Sequence, residues 1–171
     1  RARPDRRLAP RLMPVTRDIV QTYRRPRSVM RRLLDAGQRE DRAIAILLGG
    51  CFMLFVASWP RLAREAEVAG SDLTQDMAYA LFATVFILPL VLYGIAALSH
   101  LLLKPFGVKG TWYGARLAFF WALLASSPLT LLWGLTHGFI GPGVQTQVTG
   151  ALWFVVFLLF WSINLREAER G

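Results

Sequence analysis

The sequence is short of charge, cysteine and histidine, and each shortage closes a class of function. Charged residues make up 18% of the 171 residues, against 54% apolar. Soluble domains carry about a quarter charged residues. The composition therefore excludes a disordered chain and a soluble globular one, and it places the protein in a bilayer. Cys51 is the single cysteine, which excludes an internal disulfide framework and any cysteine-based zinc site. The two histidines, His100 and His137, stand far apart in the chain, and no H-E-x-x-H pattern joins them. Four long apolar stretches, 43–59, 78–103, 117–136 and 148–165, contain no Asp or Glu. That removes the usual carboxylate relay of a proton-coupled transporter. A phosphate-cradling G-x-x-x-x-G-K-[ST] loop and a G-x-S-x-G nucleophile elbow are also missing. The sequence points to no enzyme, no metal and no cofactor.

The net charge of +9 is unevenly placed. Residues 1–42 hold 13 arginines and five acids, a net of +8. Residues 60–77 have a net of −2, residues 104–116 a net of +3, and residues 138–147 carry no charge. A basic N-terminus can mark a nucleic-acid binder, but these arginines directly precede apolar spans. The excess of arginine on cytoplasmic segments explains them better, so no nucleic-acid partner is expected.

The apolar stretches run 17–26 residues. At about 1.5 Å per residue, a hydrocarbon core of about 30 Å needs about 20 residues. Lipid leaves no backbone group unpaired, and unbroken apolar runs without alternation exclude barrel strands. The expected fold is therefore all-α. It is a polytopic integral membrane protein with four transmembrane helices, preceded by a basic interfacial amphipathic segment. Residues 1–42 form that cytoplasmic segment, 43–165 the membrane domain and 166–171 a short cytoplasmic tail. The long second span should tilt or kink at Pro89, and the third carries Pro128. Alternating loop charge puts both termini in the cytoplasm and the 60–77 and 141–143 loops outside. Trp59 and Trp133 fall at the outer interface, and Trp112, Tyr113 and Trp161 at the inner one. No signal peptide is expected, because the first apolar run ends in Trp59-Pro60-Arg61 rather than a small-residue cleavage site. The sequence opens on Arg1, and Met13 is the expected natural start.

In the basic segment, Val15, Ile19, Val20 and Tyr23 recur at helical spacing until Pro26. Ser28 then suits an N-cap for a second helix whose Val29, Met30, Leu33 and Leu34 share a face, with Gly37 as its end. Arg17, Arg24, Arg25, Arg27, Arg31 and Arg32 surround these faces. Short helices of this kind lie on a membrane surface, where each basic group contributes about 1 kcal/mol against anionic lipid. The segment either anchors the topology or senses lipid and docks a partner.

Gly114, Ala118, Ala122, Ser126 and Thr130 are small and four residues apart. Such spacing lets helix backbones approach closely, so the third span should be central. The contact is either internal, with Gly49, Gly50 or Gly94 opposite, or it joins a second copy or another membrane protein. The polar residues near span ends are Ser99, His100 and Lys104 in the second span, Arg116 in the third and Asn164 in the fourth. All fall on the cytoplasmic side, where a basic pocket can hold a lipid phosphate. The plainer reading is that they satisfy helix ends.

The runs Val15-Thr16-Arg17-Asp18-Ile19-Val20, Tyr23-Arg24-Arg25-Pro26-Arg27, Tyr93-Gly94-Ile95-Ala96-Ala97-Leu98-Ser99-His100 and Gly110-Thr111-Trp112-Tyr113-Gly114-Ala115-Arg116 resemble the alphaproteobacterial branch of the Yip (Ypt-interacting protein) domain family. The resemblance implies a polytopic protein without catalytic residues in a bacterial inner membrane. Eukaryotic relatives act in vesicle traffic and contact small GTPases. The family usually has five spans, and this sequence shows four plus an interfacial segment. No functional residue carries over from it.

The functional expectation is a non-catalytic inner-membrane protein that organises protein partners or lipids, with the bilayer and anionic lipid at its N-terminal segment as partners. The alternative is a small-molecule or lipid transporter, or the membrane subunit of one, using the cytoplasmic polar cluster. An enzyme at the lipid interface and an accessory subunit of a bioenergetic complex are the remaining readings. The orientation has a direct check: a cysteine placed at Gln75 should react with an impermeant maleimide from outside the cell, and one placed at Lys109 should not. The reverse pattern overturns it.

Overall fold

The computed structural model describes residues 13–103 and 111–169, apart from the side chains of Met13, Pro14, His100, Leu102 and Leu103. Residues 1–12, upstream of the expected start at Met13, and Lys104 therefore lie outside the described residues. The fold is all-α, and no strand occurs among the described residues. In chain order the helices are α1 (Met13–Arg24), α2 (Pro26–Asp35), α3 (Glu40–Ala69), α4 (Leu73–Phe82), a π-helical turn (Ala83–Ile87), α5 (Leu88–Leu103), α6 (Trp112–Ala125), α7 (Ser127–Phe139) and α8 (Val144–Ala168). Three continuous helical stretches are long and apolar enough to cross a membrane: α3, Leu73–Ser99 and α8. The α6–α7 pair, bent by 45°, makes a fourth if taken as one broken span. The chain is a multi-pass membrane protein.

Each break in the helices has a local cause. Pro89 has no N–H to return to residue 85. The π turn immediately before it shifts the hydrogen-bond register by one residue, as such turns do at otherwise straight helices. Pro128 sits in the first turn of α7, where a missing N–H costs nothing. The polar groups at that bend are occupied. Ser126 Oγ donates to the Leu123 carbonyl at 2.9 Å, Thr130 Oγ1 donates to the Ser126 carbonyl at 3.3 Å, and Trp153 Nε1 donates to Ser126 Oγ at 3.2 Å.

The structure corrects several sequence boundaries. Residues 60–77 are not an extended acidic loop. Helix α3 continues through Pro60 to Ala69, and only Gly70–Asp72 separates it from α4. Arg61 and Glu65 pair one turn apart on the continued helix, and Gly70 closes it with φ +67°. At 30 residues α3 is about 45 Å long, so it protrudes from a core of about 30 Å. The second short helix begins at Pro26 in its first turn, not after Ser28, whose hydroxyl bonds back to the Arg25 carbonyl at 2.9 Å. Residues 166–168, expected as tail, complete the last turn of α8.

Helix α6 is the centre of the molecule. From Leu117 to Ala125 every residue is buried. Gly50 of α3 lies against Leu123. Tyr93 of α5 packs on Phe120 with ring centroids 5.0 Å apart, and Phe157 and Trp161 of α8 meet Phe119 edge to face at 5.5 Å. Thr22 of α1 accepts a hydrogen bond from Trp121 Nε1 at 3.1 Å. The small residues Gly114, Ala118, Ala122, Ser126 and Thr130 are all buried, with Gly114 against Ala168 of α8. The four-residue register runs on through the bend to Gly134 and Gly138, and these two make the tightest contact in the bundle. A Cβ on Gly134 would overlap the Ala57 carbonyl of α3, and one on Gly138 would overlap Pro60. By contrast, α4 and α5 lie at the edge, and Phe82, Phe86 and Leu90 are exposed. Gly94 on α5 faces open space rather than α6.

Gly134→Ala should therefore force α7 away from α3 and lower stability by about 1–3 kcal/mol, the usual cost of overpacking. Gly94→Ala should lose nothing, because alanine favours the helix by about 1 kcal/mol. Thermal unfolding of the two variants in one detergent checks the contrast, and equal melting temperatures would contradict this packing.

Candidate functional site

The end of the bundle that carries α1 and α2 gathers most of the charged contacts. Arg32 pairs with Asp18 and ties α2 to α1. Val29 and Met30 are fully buried, and Tyr23 meets Phe160 of α8 edge to face at 5.0 Å. In the last turn of α8, Glu167 accepts from Arg31 Nε at 2.8 Å and Nη2 at 2.5 Å. Glu167 is only 5% exposed. The hydrogen bond and the adjacent carboxylate charge hold the Arg31 guanidinium above the ordinary arginine range. A buried carboxylate without such a partner would be costly.

Arg42, in the first turn of α3, donates to the Leu33 carbonyl at 2.5 Å, the Gly37 carbonyl at 3.0 Å and Tyr113 Oη at 3.1 Å. It thereby closes the end of α2 and links it to α6. Tyr113 Oη in turn donates to the Arg39 carbonyl at 3.3 Å. Arg116 of α6 pairs with Glu40 of α3 and stands 5.6 Å from the ring centroid of Tyr93 on α5. One guanidinium thus joins three helices.

The sequence-predicted polar residues do not form one cluster. Ser99 bonds within its own helix, to the Ala96 carbonyl at 2.9 Å. His100 lies on α5, but its side chain is not among those described, and Lys104 falls in the undescribed segment. Arg116 faces α3 and α5. Asn164 lies on α8, across α6 from α5, and is fully buried. Neither its Oδ1 nor its Nδ2 has a hydrogen-bond partner among the described residues, and Trp161 Nε1, one turn earlier, has none there either. Of the six arginines expected on the membrane surface, Arg31 and Arg32 are engaged in ion pairs, whereas Arg17, Arg24, Arg25 and Arg27 are exposed. The last three cluster at the α1–α2 turn.

Several residues that matter were not picked out by sequence reasoning. Gly134 and Gly138 were within reach, since they continue the spacing already noted. Glu167 and Thr22 gave no signal, because their partners Arg31 and Trp121 lie 136 and 99 residues away. No three His, Cys, Asp or Glu side chains among the described residues are grouped to hold a metal ion. No family model, no curated protein and no solved structure matches the chain.

Asn164 supplies the sharpest test of this end. Leucine has a similar volume and removes both unpartnered groups. Asn164→Leu should stabilise the protein by about 1 kcal/mol, or about 2–4 °C in Tm for a chain of this size. A lowered Tm, read by circular dichroism in detergent, would show that the amide is satisfied in the membrane.

Proposed function

We propose that the protein is a non-catalytic, Yip-like membrane protein that organises protein partners or lipids at the cytoplasmic face of a bacterial inner membrane. Both termini lie on that face in this reading. The observation that carries it is the α1–α2 hairpin. It is held on the bundle by Arg31–Glu167, by Trp121–Thr22 and by Tyr23 on Phe160. That fixed base leaves Arg24, Arg25 and Arg27 exposed at one turn, a rigid basic surface suited to anionic headgroups or an acidic partner. The four apolar runs 43–59, 78–103, 117–136 and 148–165 carry no acid for proton-coupled work.

A second reading, a small-molecule or lipid transporter or its membrane subunit, draws on the 45° break at Ser126 and the π turn before Pro89. Discontinuous helices often mark transporter sites. Gentle affinity purification from native membranes, with mass spectrometry of proteins and lipids, separates the two. A stoichiometric protein partner lost in an Arg24→Glu, Arg25→Glu, Arg27→Glu variant is the expected result. A selectively retained anionic lipid with no protein partner, unaffected by those three substitutions, would favour the second reading, with Arg116, Lys104 and His100 the first residues to mutate. Recovery of neither would overturn the organising role.

A further inference from the structure

At the opposite end of the bundle, α3 and α7 enclose a cleft that loop charge and motifs did not reveal. Its inner part, about 100 Å³, is lined by Leu54, Ala57, Ser58, Thr130, Trp133 and Gly134. It exists because glycine at 134 lets α7 touch the α3 backbone while Trp133 leans the other way, onto Gly150 and the parallel ring of Trp153. Arg61 and His137 line the inner cleft and also the wider mouth, about 340 Å³, that continues from it. The groove is therefore apolar at depth and basic at the rim.

The rim groups are differently committed. Arg64 donates through Nη1 to the Gly138 and Phe139 carbonyls at 3.3 and 3.4 Å and so closes the end of α7. Gly141, with φ +94°, leaves room for its guanidinium. Arg61 uses only Nη1 on Glu65, at 3.0 and 2.7 Å, which leaves Nε and Nη2 without a partner among the described residues. The His137 imidazole has no hydrogen-bond partner among the described residues. A guanidinium edge beside an imidazole matches a phosphate. The exposed Trp59 places this rim at interface height. In a bilayer, an apolar cleft below a phosphate-binding rim is filled by an amphiphile.

We propose that the α3–α7 groove binds one phospholipid, its phosphate on Arg61 and His137 and a stretch of acyl chain beside Ser58 and Trp133. The assignment rests on the chain spanning a membrane and is independent of whether it organises partners. Glu65 lines the mouth as well, so an ethanolamine or a glycerol headgroup can supply the phosphate.

The test uses the full chain in mild detergent, with Ser58→Cys as a reporter and Cys51→Ser removing the native thiol. Maleimide labelling at position 58 is timed with phosphatidylethanolamine, phosphatidylglycerol or diacylglycerol added. We expect at least tenfold slower labelling with one or both phospholipids and no change with diacylglycerol, which lacks the phosphate. Protection by the ethanolamine lipid alone makes Glu65 part of the site, and protection by the glycerol lipid alone makes the site selective for net negative charge. Adding Arg61→Gln and His137→Gln should abolish the protection, whereas Arg166→Gln at the other end, on an exposed side chain, should not. Equal labelling under all three lipids, or protection that survives the double substitution, would overturn the proposal. Native mass spectrometry of the wild-type chain gives a second reading that needs no variant: one retained phospholipid is expected, and retention of diacylglycerol to the same extent would overturn it.

Discussion

The contact between α3 and the bent α6–α7 pair governs the remainder of the molecule. Inside a bilayer, helices gain little from hiding apolar surface, because lipid tails are as apolar as leucine. They associate through close packing, and here that packing reaches its limit at Gly134 and Gly138, which leave no space for a Cβ against Ala57 and Pro60. The 45° bend at Ser126 makes this possible. A straight helix could not press α6 against Gly50 and also lay α7 along the far half of α3. The groove at one end and the buried central helix at the other are both products of that bend.

Bending a helix in lipid frees backbone groups, and the chain handles each instance with nearby chemistry. At Pro89 the register itself shifts. At Pro128 the serine, threonine and tryptophan around the bend take up the exposed carbonyl and hydroxyl groups. These polar groups sit in the interior without charge, which keeps them cheap to bury. Asn164 breaks the pattern. It is a fully buried side chain whose polar atoms find no partner among the described residues, three residues before the Glu167 that pairs with Arg31 where the hairpin meets the bundle.

Much of the architecture is legible in the chain itself. Composition and span length lead to an all-α membrane protein, and the observed crossing helices follow the apolar runs. The small-residue spacing leads to a central α6. Other features were hidden for physical reasons. An acidic composition disguised the C-terminal turns of α3 as a loop, since charge and proline both suggest a break. Yet an exposed Arg61–Glu65 pair and a glycine on the facing helix let the helix pass. The polar residues near span ends share a height in the membrane but not a face. Height is written in the hydropathy, whereas azimuth around α6 is set by the bend. Ion pairs such as Arg31–Glu167 join parts of the chain too remote for any local pattern to show them.

That last pair also imposes an order of events. The basic hairpin is made first, but the carboxylate that fastens it belongs to the closing turn of α8, 136 residues later. At about 5–20 residues per second of synthesis, the hairpin spends on the order of ten seconds before that ion pair can form. Until then the Arg31 guanidinium remains free to meet lipid headgroups while the helices insert. The pair then adds a charged anchor to those already made by Trp121 on Thr22 and Phe160 on Tyr23, and it is the last of the three to form.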